Sequence, residues 1–353
     1  MPSGATALAD PLLDDDTARL STRLEHDFPF DPAYGYDVAG LLAVEPPPEP
    51  PGFVEFWRAR YARALAVDPE PRLTVSRHAR DGFLVWDVAY RSTGGVPIRG
   101  WLLEPLSAPA RAAFVVGHGY GGLAAPDVPL LYPDVAYLVP SLRGLGLSAQ
   151  EPFSANPAWH VLHDIHDRER YVLGGCVEDL WTGVSALLAL RPDVRGRVWY
   201  TGHSFSGGVG IMALAWDDRV SRAHVDVPSF GHHPLRLALP TTGSAASVQA
   251  FVAQHVHVAD TLPFYDSAVA ARHVRLPVHL AAALFDPVVV PPGQFAVHNA
   301  LPGPTELFLR RAGHFAHPGQ ADEDRVLLSQ LRGFFRSDDQ PRVSPLAQPR
   351  PGP

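Results

Sequence analysis

The segment Arg197 to Gly208 constrains this chain most. An apolar, β-prone run (Val198-Trp199-Tyr200) ends in Gly202-His203-Ser204. Small residues follow and lead into the helix-like Val209-Gly210-Ile211-Met212-Ala213-Leu214-Ala215. That order predicts strand, sharp turn, helix. A serine at such a turn is held in a strained backbone conformation, its hydroxyl raised at the carboxyl edge of a sheet with a helix N-terminus beneath it. The usual pattern of such a nucleophile elbow is Gly-x-Ser-x-Gly, and its last position here is Ser206. Glycine is preferred there because helix and strand backbones come close. Serine is the next smallest polar choice, so Ser204 is the expected nucleophile. Ser206, read as Ser-x-Ser-x-Gly, is its rival, and a small-residue turn without chemistry is the alternative to both.

The 353 residues are 46% apolar and 19% charged, the balance of a globular protein. Net charge is −8, and every basic residue other than histidine is arginine. This argues against a nucleic-acid or anionic-membrane partner. Cys176 is the single cysteine and is expected to be a small buried hydrophobe. The first residues lack a basic patch followed by an apolar core, and no apolar run is expected to span a membrane. A cytoplasmic protein is expected.

Residues 1–51 read as an N-terminal extension, acidic at Asp14-Asp15-Asp16 and closing in the stiff connector Pro46-Pro47-Pro48-Glu49-Pro50-Pro51. A helix is predicted over Phe53–Leu65, with Phe53, Phe56, Trp57 and Tyr61 on one face. Strands follow at Phe83–Tyr90 and Pro97–Leu103 around a Thr93-Gly94-Gly95 turn, then at Ala112–Val116 and Val135–Val139. Arg170–Leu190 reads as a long helix ending before Pro192. After the elbow, about 227–266 reads as an irregular, cap-like insertion with helical patches, of the kind that roofs an active site. Strand Val278–Phe285, helix Gln294–Ala300, strand Glu306–Arg310 and a helix near Asp322–Phe335 complete a main domain over 52–336. The fold class expected is α/β, with a mostly parallel central sheet flanked by helices. The proline-rich tail 337–353 is expected to be disordered.

A serine hydroxyl needs a histidine to take its proton and a carboxylate to orient that histidine. In α/β-hydrolases the chain order is serine, acid, histidine. Asp286 closes the apolar strand Val278–Phe285, where the acid belongs; capping the turn before Pro287 is its other reading. Asp260 and Asp266 lie in the insertion and are weaker candidates. His314 follows the last strand in the loop Ala312-Gly313-His314-Phe315, with His317 as its rival. The oxyanion calls for two backbone amides. One is that of Phe205, after the nucleophile. The other falls in Gly117-His118-Gly119-Tyr120-Gly121-Gly122, and its position favours Tyr120.

These motifs together resemble one family. Trp101-Leu102-Leu103-Glu104-Pro105, Gly119-Tyr120-Gly121-Gly122, Ser141-Leu142-Arg143-Gly144, the Ser204 elbow, Asp286-Pro287 and Gly313-His314 are similar to the acetyl xylan esterase and cephalosporin-C deacetylase family, carbohydrate esterase family seven. Phe53-Val54-Glu55-Phe56-Trp57 looks like that family's N-terminal helix, and the likeness runs from about Pro51 to Phe335. The resemblance implies an α/β-hydrolase fold, a metal-free triad without cofactor, deacetylation of small acetylated sugars or cephalosporins, and a homo-oligomer. Carried over by position, Ser204 is the nucleophile, Asp286 the acid, His314 the base, and Tyr120 and Phe205 the oxyanion amides. The sequence departs from the family at Leu145 and Phe205, where the family has glutamine, at Ser206, where it has glycine, and at Phe315, where it has glutamate. Leu145 and Phe315 are expected to replace a polar network around the triad by an apolar contact.

Two other readings stand beside a short-acyl esterase. One is a peptidase or carbon–carbon bond hydrolase on the same fold; the other is an inactive ligand-binding homologue. His160, His163 and His166 recur every third residue, but the spacing does not match a metal-binding helix, and no metal is expected.

Overall fold

Short runs of mostly apolar residues, rich in valine, leucine, alanine and aromatics, build a single nine-stranded sheet. The structure is a computed structural model and describes residues 24–336; the acidic run at Asp14 and the proline-rich tail lie outside them. The strands are β1 (Arg72–Val75), β2 (Phe83–Arg91), β3 (Pro97–Pro105), β4 (Ala113–Gly117), β5 (Ala136–Ser141), β6 (Val198–His203), β7 (Val220–Asp226), β8 (Val278–Ala283) and β9 (Thr305–Arg310). Their order is β1-β2-β3-β5-β4-β6-β7-β8-β9. The first three are joined to each other and to β5 antiparallel. Every pair from β5 to β9 is parallel. The chain runs from β4 outward to β5 and then returns to the other side as β6. The crevice at the carboxyl ends of β4 and β6 is therefore the switch point where ligands of such sheets sit.

The period of two in the strands divides the core. Ala113 and Val115, with Val198 and Tyr200, face one side; Phe114 and Val116, with Trp199, face the other. The helices are α1 (Val38–Leu42), α2 (Phe53–Leu65), α3 (Pro157–His160), α4 (Val172–Leu190), α5 (Phe205–Leu214), α6 (His233–Ala238), α7 (Gly243–Val252), α8 (Ser267–Ala271), α9 (Pro291–Ala300) and α10 (Gln320–Arg336). Helices α2, α4 and α5 cover the first face, and α10 covers the second with Leu327, Leu331, Phe334 and Phe335.

By length and composition α4 could cross a membrane, contrary to the expectation that no run would. Here it is the central core helix, nearly all buried. Its two acids are paired inside: Glu178 with Arg60 at 2.9 Å and Asp179 with Arg143 at 2.7 Å. Buried charges are tolerated only with such partners. Cys176 on the same helix is buried.

Strand β7 is absent from the sequence reading because Arg222, His224 and Asp226 interrupt its apolar pattern. His224 is nevertheless buried, its Nδ1 3.2 Å from the Nδ1 of His279 on β8. Helix α9 starts three residues earlier than Gln294, since proline is accommodated in a first helical turn. Between β7 and β8, α6 and α7 lie over the carboxyl edge of the sheet and supply cavity-lining residues.

Helix α2 docks by its predicted stripe. Phe53, Phe56 and Trp57 are buried, and the Trp57 indole N–H donates to the Phe264 carbonyl at 2.9 Å. Tyr61 is half-buried, with its ring 5.0 Å from that of Trp181 on α4. Truncation of Trp57 to alanine leaves a cavity and an unpaired carbonyl, so Trp57→Ala should lower stability by about 3–5 kcal/mol. Equilibrium denaturation in urea measures this; a loss under 1 kcal/mol would remove α2 from the core.

Candidate active site

The elbow is formed by packing that leaves the backbone no other path. Ser204 sits between β6 and α5 at φ 52° and ψ −107°, a conformation costing on the order of 1–3 kcal/mol in a non-glycine residue. Its N–H donates to the Asp226 carbonyl at 2.8 Å, and its carbonyl accepts from Ser229 at 3.0 Å and Gly208 at 3.1 Å. Ser206 lies on the first turn of α5, fully buried, with no partner for its Oγ. The glycine that the motif lacks there is supplied opposite. A Cβ on Gly117 would come within 2.4 Å of the Ser206 Cβ, and one on Gly202 within 2.4 Å of the Ser206 carbonyl oxygen. Ser206 thus fits as packing, and Ser204 is the serine presented at the sheet edge.

Three side chains distant in sequence meet at this edge. The Ser204 Oγ is 2.7 Å from His314 Nε2, and His314 Nδ1 is 2.8 Å from Asp286 Oδ2. The carboxylate fixes the tautomer: Nδ1–H donates to Asp286, leaving Nε2 to accept from the serine hydroxyl. Asp286 is fully buried. Its Oδ1 accepts from the amides of Val288 (2.8 Å) and Val289 (2.9 Å), and its Oδ2 also accepts from the Gln294 amide at 3.0 Å. The turn-capping and histidine-facing readings of Asp286 are therefore both realised, one oxygen for each. Gln294 is itself fixed by Ala283 N–H at 2.8 Å and the Val289 carbonyl at 2.6 Å. The Asp286 amide donates to the Pro32 carbonyl at 3.1 Å, tying the acid to the N-terminal segment.

Burial alone would lower the His314 pKa, but the hydrogen bond and charge of Asp286, with help from Asp226, raise it above the ordinary histidine value. Asp226 has a second role nearby. It accepts from His203 Nδ1 at 3.0 Å and from Arg310 Nε at 2.6 Å. Burial opposes its ionisation, yet these two partners hold the carboxyl well below the usual range. The His203 ring lies 5.5 Å from that of His314. Neither His203 nor Gln294 was anticipated; His203 is visible in the sequence only as the residue before the serine, and Gln294 only as a helix residue eight positions after the acid.

The loop after β4 is braced by neutral histidines. His118 Nδ1–H donates to the Gly119 carbonyl at 2.6 Å, while its Nε2 accepts from Leu142 N–H at 3.0 Å. Tyr120 donates its hydroxyl to His160 Nδ1 at 3.0 Å, and His160 Nε2–H donates to the Arg143 carbonyl at 2.9 Å. Burial pushes His160 down to about 4, so it stays uncharged at neutral pH. The Tyr120 ring packs on Phe205, with centroids 4.2 Å apart. Among the described residues, neither the Tyr120 nor the Phe205 amide has an internal acceptor. A cavity of about 240 Å³ opens here, walled by Gly119, Tyr120, Ser204, Arg236, Val288 and His314 among others.

The weaker candidates lie elsewhere. Asp266 caps α8 and accepts from the amides of His232 and His233. Asp260 is exposed. His317 bonds the Pro318 carbonyl through Nδ1. Leu145 and Phe315 both lie in apolar surroundings, but in two separate clusters. Leu145 is buried in the main core, whereas Phe315 packs separately against Phe28 and Phe285, at 5.9 and 5.1 Å. The polar supports are supplied instead by Gln294 and by backbone groups.

A family model described as acetyl xylan esterase (AXE1) matches residues 45–328. The chain belongs to the acetyl xylan esterase family. Solved structures agree in fold. The acetyl xylan esterase from Paenibacillus sp. R4 superposes with a TM-score of 0.74 at 20% identity, over 84% of this chain and 99% of that one. Acetyl xylan esterase 1 from Thermoanaerobacterium sp. JW/SL YS485 gives 0.70 at 18%, over 86% and 99%. The acylaminoacyl peptidase of Pyrococcus horikoshii gives 0.55 at 14%, over 72% of this chain and 42% of that one. The α/β-hydrolase architecture and the family anticipated from the motifs are both found.

The imidazole environment makes a prediction that needs no substrate. His314 should titrate above the ordinary histidine range by NMR of histidine-labelled protein. Asp286→Asn removes the raising partner and leaves burial to dominate, so the midpoint should fall. An unchanged midpoint would mean that the pair does not form.

Proposed function

We propose that the protein is a serine esterase that removes acetyl or other short acyl groups from small oxygen esters, of the acetylated-sugar or cephalosporin kind. The observation that carries this is the hydrogen-bonded chain Ser204–His314–Asp286, opening on a cavity beside two amides without acceptors. Ser204 attacks the ester carbonyl as His314 Nε2 takes its proton. The oxyanion is held by the Tyr120 and Phe205 amides, each such donor being typically worth about 2.7–4 kcal/mol. His314 returns the proton to the leaving alcohol, and the acyl group stays on Ser204. Water, deprotonated by the same imidazole, then releases the carboxylic acid. Asp286 remains ionised and holds the imidazole in the required tautomer. No step calls on a cofactor. The modest cavity of about 240 Å³, lined by Tyr120 and Val288 among others, supports short acyl groups, and family membership supports an ester substrate. We also propose self-association, which light scattering would test.

Turnover of p-nitrophenyl acetate and a panel of acetylated sugars by the wild type, with Ser204→Ala as blank, tests the reading. The variant should lose on the order of 10⁴-fold or more. Absence of both turnover and labelling by an organophosphonate would point to a binding protein instead. A further substitution probes the acid. A Cβ at position 313 would lie 2.4 Å from Asp286 Oδ2, so Gly313→Ala should displace the carboxylate and reduce kcat roughly 100-fold. A correctly folded variant with wild-type kcat would contradict the role given to Asp286.

A further inference from the structure

Four arginines are buried among the described residues: Arg60, Arg143, Arg236 and Arg310. Three have a carboxylate at close range, namely Glu178 at 2.9 Å, Asp179 at 2.7 Å and Asp226 at 2.6 Å. Arg236, on α6, is the exception. It is 7% exposed, its guanidinium makes no ion pair or hydrogen bond to any described residue, and it lines the same cavity as Ser204 and His314.

Its neighbours are already committed. Its guanidinium carbon lies 5.2 Å from the centroid of the Phe230 ring. The Tyr120 and Tyr171 hydroxyls donate to His160 and to the Val161 carbonyl. The Asp266 carboxylate accepts from the amides of His232, His233 and Ala268. Burial depresses the Arg236 pKa, but an arginine does not deprotonate in proteins. Asp266 attracts the guanidinium only from beyond ion-pair distance, and a buried cation without a directly paired carboxylate is destabilising. Such a group persists where the missing partner comes from outside, and a guanidinium fork matches a carboxylate bidentately.

We infer that the ester this cavity takes carries a carboxylate, and that Arg236 is the specificity residue that pairs with it. Among the described residues Arg236 is the only arginine lining the cavity, which fits a monoanion. The carboxylate could belong to the acyl part or to the alcohol part of the ester. The inference rests on the esterase reading above.

Isosteric pairs separate these cases. Monoethyl succinate against ethyl succinamate places the charge on the acyl side; acetoxyacetate against acetoxyacetamide places it on the alcohol side. Hydrolysis is followed by pH-stat for the wild type, Arg236→Gln and Arg236→Lys, with thermal melting to confirm folding. In one pair, the carboxylate-over-carboxamide ratio of kcat/KM should fall roughly 10- to 100-fold in Arg236→Gln, the range of a charged hydrogen bond. Arg236→Lys should restore part of it. The pair that responds identifies the side. Ratios unaltered by Arg236→Gln in both pairs would overturn the inference while leaving the esterase reading intact. Should no ester turn over, calorimetry decides separately: acetoxyacetate or monoethyl succinate should bind Ser204→Ala and lose that binding when Arg236→Gln is added. Equal binding to both, or to neither, overturns the inference.

Discussion

The close approach of β6, β7 and the start of α5 is the constraint on which the site depends. The Ser204 amide is held by the last carbonyl of β7, and its own carbonyl is engaged by Ser229 and Gly208. With both polar groups fixed, the residue cannot relax out of its positive φ. Glycines at 117 and 202 make the approach possible by leaving room for Ser206. The strain at Ser204 is thereby supported by ordinary ladder and turn hydrogen bonds, and the hydroxyl stands clear of the strand.

Around this point the polar groups form two systems, one that includes His314 and one that passes beside it. One runs from the serine through His314 to Asp286 and Gln294. The other runs from His203 through Asp226 to Arg310, then to Glu323 and Asp324 on α10. Asp226 in the second favours the charged imidazole through space, so the His314 pKa is raised from two sides. The loop carrying Tyr120 has a separate brace of uncharged histidines, His118 and His160. Fixed dipoles and fixed charges are thus kept in different parts of the site.

Much of this was legible in the chain. The Gly-His-Ser turn, the aspartate closing an apolar strand and the histidine in a small-residue loop are local signals, and the three residues they mark lie in contact. The stripe on α2 was equally plain, because four aromatic residues on one helical face leave little choice. What escaped was non-local. Strand β7 carries His224 and Asp226 inside a sheet, where burial is made tolerable by His203 on β6, His279 on β8 and Arg310 on β9. Gln294 looks like any helix residue until the turn bearing Asp286 is folded against it. The substitutions at Leu145 and Phe315 pointed to apolar surroundings in place of a polar network, but their division between two clusters depends on the path of the N-terminal segment, which has no periodic signature. Arg236 was hidden for the opposite reason: its distinction is the partner it lacks.

The bond from the Asp286 amide to the Pro32 carbonyl, with Phe28 packed on Phe315, has a consequence for what counts as the unit of function. The acid and histidine loops are anchored to residues ahead of position 45, where the family match begins. The stretch upstream of the family match thus works as a clasp on the loops that carry Asp286 and Phe315, and cutting the chain back to the matched residues would release both the Pro32 hydrogen bond and the Phe28 ring contact beside His314.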